Sequence, residues 1–297
     1  MKEIELLRLA DLNLIEFWRE SSKWIPNTEI LETHETVFID SGISFPGCSL
    51  VFNLSEEALE QPAEFIARSR AFFSSRKRGF SLLLRGHSDQ NIIQYCKDQK
   101  IFLVGEQPGM VLDGKAIGGE APAGAELRWV NSATLLQDFK AVAAESFMDL
   151  AFPREVSESY FANAERVLSP FSLLAVVYFD GEPACCAMAM LSHGIAGVYW
   201  VGTAKKARGR GLAKYCVQEV SNAQSTWALE GSSSRQASSE ARYIQRSATE
   251  NSARILILFA RANNIVGLGH THKSPQSHIF DDVLISLFIN LKHFVGI

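Results

Sequence analysis

The chain has 297 residues, long for one compact domain and sufficient for two. Hydrophobic residues make up 47% and charged residues 21%, a globular balance that excludes wholesale disorder. The net charge of -4 shows no basic excess of the kind a nucleic-acid-binding chain carries, so no nucleic-acid partner is expected.

In chain order, Asp11–Trp24 is predicted helical, with Leu12, Leu14, Ile15, Phe17 and Trp18 crowding one side. Thr36–Asp40 and Cys48–Leu54 read as strands separated by the turn-rich Ser41–Gly47. Ser55 has the character of an N-cap, and Glu56 and Glu57 after it suit the positive end of a helix. That helix carries Leu59, Phe65, Ile66, Phe72 and Phe73 and should end near Lys77–Gly79. Phe80–Leu84 is an apolar strand, Gln90–Lys100 a short helix, and Ile101–Gly105 and Met110–Leu112 are strands. The order α-β-β-α-β-α-β is that of an α/β layer fold. Asp113–Ala125, rich in Gly, Ala and Pro and without periodicity, reads as a linker. Two domains are therefore expected, 1–112 and 126–297.

The second half opens with strand Glu126–Val130, and Asn131 or Ser132 can cap a helix reaching about Phe147. Pro153 suits the start of a further helix, Arg154–Leu168. Phe171–Phe179 and Ala184–Leu191 are strands joined at Asp180-Gly181-Glu182-Pro183, where Asp-Gly is a strong hairpin signal. Ser192-His193-Gly194 turns again into Ile195–Thr203, and a helix follows to about Ala223.

The junction between that last strand and its helix carries the chemistry. Arg208-Gly209-Arg210-Gly211-Leu212-Ala213 leads from an aromatic, β-branched strand into the helix. A helix start directs several free N–H groups and the positive end of the macrodipole at one point, which favours phosphate. Gly209 and Gly211 let the backbone approach a ligand, and Lys205, Lys206, Arg208 and Arg210 add positive charge. The stretch is neither GxxxxGK[ST] nor GxGxxG, so it is not a P-loop or a dinucleotide fingerprint. Alone, it is also compatible with a glycine-rich turn bearing a solvated basic face.

The pattern resembles motif A of the GNAT acetyltransferase superfamily, [RQ]-x-x-G-x-[GA], met here by Arg208, Gly211 and Ala213. The order of strand, two helices, hairpin and third strand is similar to that family over about 125–223. The whole chain resembles tandem GNAT proteins, with a degenerate first half that lacks the motif. There the nearest imitation, Arg76-Lys77-Arg78-Gly79, precedes a strand and reads as a solvated turn. The resemblance implies an α/β (α+β) fold of two GNAT-like halves, each a mixed, mostly antiparallel sheet flanked by helices.

It further implies that acetyl-CoA is the cosubstrate and that a small-molecule or peptide amine attacks the thioester directly. The pyrophosphate would lie on the N–H groups of Arg208, Gly209, Arg210, Gly211, Leu212 and Ala213. The strand Tyr199–Thr203 would splay from its neighbour, with Val201 and Thr203 on the pantetheine arm and the N–H of Val201 polarising the thioester. Asn131–Leu168 would supply part of the acceptor wall. Relatives carry a later segment like LQASxxAxxIYxxxGF, whose tyrosine protonates the leaving thiolate. Here Arg235–Gln245 keeps the QAS core, but Gln245 stands at the tyrosine position. Tyr243 is two residues earlier, about 200° away around a helix. Tyr243 and Tyr199 are the candidate acids. The alternative is a non-catalytic acyl-CoA-binding or regulatory protein that has lost the acid; an interaction module is a third reading.

No metal is expected. His270, His272 and His278 stand in a Gly/Ser/Pro loop, and none of the five cysteines has CxxC spacing. Cys185 and Cys186 should point to opposite faces of a strand, and all five are expected to be reduced thiols of a cytoplasmic protein. Val283–Val295, interrupted by Asn290, Lys292 and His293, would span about 20 Å as a helix, too short for a membrane, and is expected to be a packed helix or an amphipathic tail. Ser221–Ser239 is serine-rich where relatives have an apolar strand. The C-terminal quarter is therefore expected to be altered by divergence or a disrupted reading frame. The coding DNA distinguishes these: an IYxxxGF-like segment in a shifted frame establishes disruption, and its absence removes that explanation.

Overall fold

The strand backbones satisfy their hydrogen bonds in two separate sheets, each flanked by helices. The computed structural model describes residues 3–55, 61–107, 109–113, 120–148, 152–230, 254–258, 283–288 and 292–293. The first elements are α1 Glu3–Ser22, β1 Glu29–Glu32, β2 Thr36–Asp40, β3 Leu50–Asn53, α2 Pro62–Ser74, β4 Phe80–Arg85, α3 Gln90–Asp98, β5 Phe102–Gln107 and β6 Gly109–Asp113. Then come β7 Ala125–Trp129, α4 Ala133–Met148, α5 Arg154–Ser159, α6 Ala164–Val167, β8 Ser172–Phe179, β9 Glu182–Ser192 and β10 Ile195–Thr203. The last are α7 Leu212–Glu230, β11 Arg254–Leu258, β12 Val283–Phe288 and β13 Lys292–His293.

One sheet has six strands in the order β1-β2-β3-β4-β12-β5, the other seven in the order β13-β6-β11-β10-β9-β8-β7. In the seven-stranded sheet β6–β11, β10–β9, β9–β8 and β8–β7 are antiparallel, while β10–β11 and β13–β6 are parallel. The six-stranded sheet is antiparallel across β1–β2–β3 and parallel from β3 onward, so it carries more parallel pairing than expected. Parallel neighbours need a crossover, and α2 joins β3 to β4 as α7 joins β10 to β11.

The chain divides into two compact units that are not its two sequence halves. One holds Met1–Trp24, Gly109–Phe259 and Leu291–Ile297; the other holds Ile25–Pro108 and Ala260–Asn290. The division thus differs from a cut between 112 and 126: α1 and β6 join the seven-stranded unit, and β12 joins the six-stranded one. Backbone pairing decides the last case. Val283–Phe288 is a strand between β4 and β5, not the helix or tail expected from its apolarity.

In the six-stranded unit, Phe65, Ile66 and Phe73 of α2 and Ile92, Ile93 and Cys96 of α3 pack with Val51, Phe80, Leu82 and Leu84 of β3 and β4. The buried carboxylate of Asp89 accepts from Asn53 Nδ2 (2.8 Å) and from the backbone N (2.6 Å) and Nε (3.0 Å) of Arg85, pinning the ends of β3 and β4 to the start of α3. Strand β1 was not expected from the sequence. Helix α2 begins at Pro62 with Gln61 as its N-cap (φ -128°, ψ 74°), not at the cap expected at Ser55, because the fixed φ of proline suits the first helical position. Arg76–Gly79 leads into β4, as a turn should.

In the seven-stranded unit, Leu212, Cys216, Val217 and Val220 of α7 pack on Ala175, Val177, Cys185, Ala187, Ala189 and Val198. The two hairpin turns have positive φ at both central residues, Asp180 (51°) with Gly181 (85°) and His193 (52°) with Gly194 (74°). That backbone matches the right-handed strand twist. The helix expected over Arg154–Leu168 is broken, because the Asn163 side chain accepts from Arg166 N and caps a second short helix, α6.

Helix α1 extends from Glu3, eight residues before its expected start, and lies on β9 and β10. Ala10, Asn13 and Phe17 share one face by their spacing. Buried Asn13 donates from Nδ2 to Met190 O (3.2 Å) and Ser192 Oγ (2.7 Å) and accepts at Oδ1 from the Tyr199 hydroxyl (2.6 Å). Phe17 stacks on Tyr199 with ring centroids 3.7 Å apart. This packing requires glycine at 197, where a Cβ would stand 2.1 Å from Asn13 Oδ1 and 2.4 Å from the Tyr199 ring. Gly197→Ala should cost about 1–3 kcal/mol in urea unfolding by overpacking; an unchanged midpoint would mean that α1 does not seat there.

Candidate active site

Strand β10 carries one residue too many for its neighbour. Tyr199 pairs with Met188 and Gly202 with Cys186, three steps on β10 against two on β9. The extra residue is a β-bulge, and Trp200 takes it up at φ 50°. Side chains of a regular strand alternate between faces. Here Tyr199 meets Phe17 of α1, and Trp200 meets Phe147 at the end of α4, on the same side. Gly202 also faces α4, with a would-be Cβ 2.7 Å from that of Ser146, whereas Val201 turns to the α7 face.

The same stretch leaves its other neighbour. Parallel pairing of β10 with β11 covers Ala196, Gly197 and Val198 only. Among the described residues, Tyr199–Thr203 has no strand on that side. On the β9 side Thr203 pairs with Cys185, and its hydroxyl donates to Cys185 Sγ (3.4 Å).

Beyond Thr203, Lys205–Ala207 forms one 3-10 turn whose first N–H donates to Glu145 Oε1 of α4 (3.0 Å). Arg208 is extended, and Gly209 and Gly211 follow at φ 77° and 78°. A side chain is strained in that region, and at Gly209 nothing lies within 4 Å of a would-be Cβ. Backbone conformation, then, is what requires glycine there. Helix α7 starts at Leu212, four residues after Arg208, and the Tyr215 N–H to Gly211 O bond (3.0 Å) opens its ladder. The amides of Leu212, Ala213 and Lys214 precede that ladder and point out of the helix start. Leu212 anchors the turn by burying its side chain.

The basic side chains are only partly as expected. Arg208 Nε donates to Thr203 O (3.0 Å), tying the turn to the strand end, and the Arg210 guanidinium lies 4.7 Å over the Phe179 ring. Both remain exposed, as do Lys205 and Lys206, so the rim of the turn is positive. Electrostatics and free amides together make the site fit for a pyrophosphate.

Of the candidate acids, Tyr199 is buried, its hydroxyl is given to Asn13, and burial raises its pKa well above the usual phenol value. Its position serves packing. Tyr243 and Gln245 lie outside the described residues, as do His270, His272 and His278. All five cysteines are buried free thiols. Cys185 and Cys186 do face opposite sides: Cys185 packs toward α7, and Cys186 Sγ donates to Trp200 O (3.4 Å). Burial and neighbouring Cys185 hold the Cys186 thiol protonated, and burial pushes Cys96 up to about 11 despite Arg70. Among the described residues, no three His, Cys, Asp or Glu side chains gather as a metal site, and no helix is long and apolar enough to cross a membrane.

Asn13 and Trp200 were missed by sequence reasoning. A polar residue inside the apolar stripe of α1 was the available signal for Asn13, while nothing local marks the bulge.

A scan against protein-family models and a search of curated proteins find no match. Among solved structures, the chain is similar to a GCN5-related N-acetyltransferase from Kribbella flavida at TM-score 0.60 and 15% identity, covering 85% of this chain and 84% of that one. A GCN5-related N-acetyltransferase from Sphaerobacter thermophilus matches at TM-score 0.49 and 14% identity, over 81% and 76%. A tandem GNAT protein from the clavulanic acid biosynthesis pathway matches at TM-score 0.45 and 10% identity, over 80% and 76%. The first of these likenesses defines the fold: this chain has the fold of the GNAT N-acetyltransferases.

Removing the Tyr199 hydroxyl should therefore act on stability. Tyr199→Phe leaves Asn13 Oδ1 without its donor, at a cost of about 1–3 kcal/mol. The raised phenol pKa also means that stability present below the unfolded-state value of 10.0 falls as pH rises beyond it. Urea unfolding at pH 8 and pH 10.5 checks both, since the loss on alkalinisation should be smaller in the variant.

Proposed function

We propose that this chain is an acyl-CoA-dependent N-acetyltransferase that moves an acetyl group from acetyl-CoA to a small-molecule or peptide amine by direct attack. One observation carries the reading: a bulged strand released from its parallel neighbour runs through a turn with two positive-φ glycines into the N-terminus of α7. The amides of Gly209–Ala213 are suited to the pyrophosphate, and the free edge of β10 at Val201 and Thr203 to the pantetheine arm and thioester. Rate enhancement comes from positioning of the amine and from polarisation of the carbonyl by the Val201 N–H.

The sequence of the six-stranded unit repeats none of the residues that carry this reading. Its equivalent crossover, from β3 to α2, has the sequence Leu54-Ser55-Glu56-Glu57-Ala58-Leu59-Glu60-Gln61, without glycine and with three glutamates. One acetyl-CoA per chain follows.

A second reading, a non-catalytic acyl-CoA binder, draws on the burial of Tyr199 and on Gln245 at the position of the usual tyrosine. Binding and turnover are therefore measured separately. Calorimetry should give one acetyl-CoA site, weakened about tenfold or more in Gly211→Glu, which sets a carboxylate at an anion-binding helix start. Circular dichroism verifies that the variant is folded. No binding to folded wild-type protein would overturn both readings. Binding without acetylation across a panel of amines would leave the second.

A further inference from the structure

We infer that Glu145 of α4 is a positioning residue for the acyl-CoA site: its carboxylate clamps the turn between β10 and α7, so that the glycine stretch and the α7 amides are already aimed when a pyrophosphate arrives. This rests on the acetyltransferase reading and names a residue that acts on the cosubstrate through the backbone of Lys205.

The turn needs a cap that its own sequence does not supply. The 3-10 turn Lys205–Ala207 follows Ala204, whose methyl side chain can accept no hydrogen bond. The first N–H of a helical turn has no partner within the turn, and the cap position is usually Ser, Thr, Asp or Asn. Here the acceptor comes from 60 residues away in sequence: Glu145 Oε1 takes the Lys205 N–H at 3.0 Å.

The other fixed points lie on either side. Ala204 N donates to Ala184 O of β9 (2.8 Å), Ala207 N donates to Ala204 O (2.8 Å), and Arg208 Nε donates to Thr203 O (3.0 Å). Ala204, Ala207 and Leu212 are buried. Between Arg208 and Leu212 the packing is sparse. Nothing lies within 4 Å of a would-be Cβ at Gly209, and at Gly211 the near atom is Pro122 Cγ at 3.9 Å. Glycine has many accessible conformations, so the path of this stretch is set by how its ends are held. Glu145 holds the leading end. Order imposed before binding spares the ligand that cost.

The carboxylate also acts through its charge, with the opposite sign, and this makes the two effects separable. A negative charge beside the turn opposes a pyrophosphate. Were charge its whole role, any neutral substitution would tighten CoA. For a clamp the hydrogen bond is what counts: Gln keeps an accepting oxygen without the charge, and Ala keeps neither.

The test is calorimetry with CoA on the full chain, comparing wild type with Glu145→Ala, Glu145→Gln and Glu145→Asp. Circular dichroism shows that each is folded. Glu145→Ala should weaken CoA about fivefold, the scale of one net hydrogen bond, while Glu145→Gln should bind CoA at least as tightly as wild type. Glu145→Asp is one methylene short; it keeps the charge, loses the reach and should weaken CoA too, so the role stays testable should the alanine variant not fold. A lowered thermal midpoint with unchanged CoA affinity in Glu145→Ala, or alanine and glutamine variants that bind CoA equally, would overturn the positioning role alone. No CoA binding by folded wild-type protein would strike the acetyltransferase reading, and the positioning role with it.

Discussion

The surplus residue in β10 is the constraint on which the seven-stranded unit depends. With Trp200 at positive φ, two consecutive aromatic side chains fall on one face of the sheet, where a regular strand would divide them. That face must then accommodate both rings. Helix α1 does so for Tyr199, by stacking Phe17 and bonding Asn13, and Gly197 gives up its side chain to make room. The segment from Phe147 to Phe161 does so for Trp200. Each contact is modest alone. Together they hold a conformation that costs on the order of 1–3 kcal/mol, a sum typical of strain kept at functional sites.

The bulge begins just past Val198, the last residue of β10 that pairs with β11 among the described residues. Among the described residues, no strand pairs with Tyr199–Thr203 on that side. A few residues later the glycine turn adds the free amides at the start of α7. Comparison of the two crossovers shows how much depends on the turn. Both units use a parallel β-α-β connection, but only the one at 204–211 has glycines and basic residues, while its counterpart has glutamates and Pro62. The turn before α7 is therefore basic, whereas the sequence before α2 is acidic.

Neither unit is a continuous piece of chain. Strand β6, one residue after β5 in sequence, belongs to the seven-stranded sheet, and β12 fills the six-stranded sheet between β4 and β5. Pairings at such separation raise contact order, and loop closure must precede the gain from burial. The seven-stranded sheet thus draws its strands from Gly109 through to Lys292–His293.

Much of this was legible in the sequence, for reasons local to a few residues. Asp180-Gly181 and His193-Gly194 declare hairpins because few residue pairs tolerate positive φ twice. Arg208–Ala213 reads as a turn into a helix because its glycines tolerate positive φ, and Gly209 and Gly211 adopt it just ahead of α7. The unpaired helix amides do not depend on what lies elsewhere. Periodicity placed α3, α4 and β8–β10 closely, since amphipathic faces are written in the spacing of side chains. What the sequence could not contain is pairing at a distance. That α1 belongs with β10, that Asn13 takes the Tyr199 hydroxyl, and that Val283–Phe288 is a strand are decided only when segments far apart meet. A phenol reads as an acid in one dimension and as a packed, bonded group in three, because burial and its partner, not residue type, set its protonation. Local backbone chemistry determined the glycine turn and the start of α7; tertiary packing alone decided which side chains surround them.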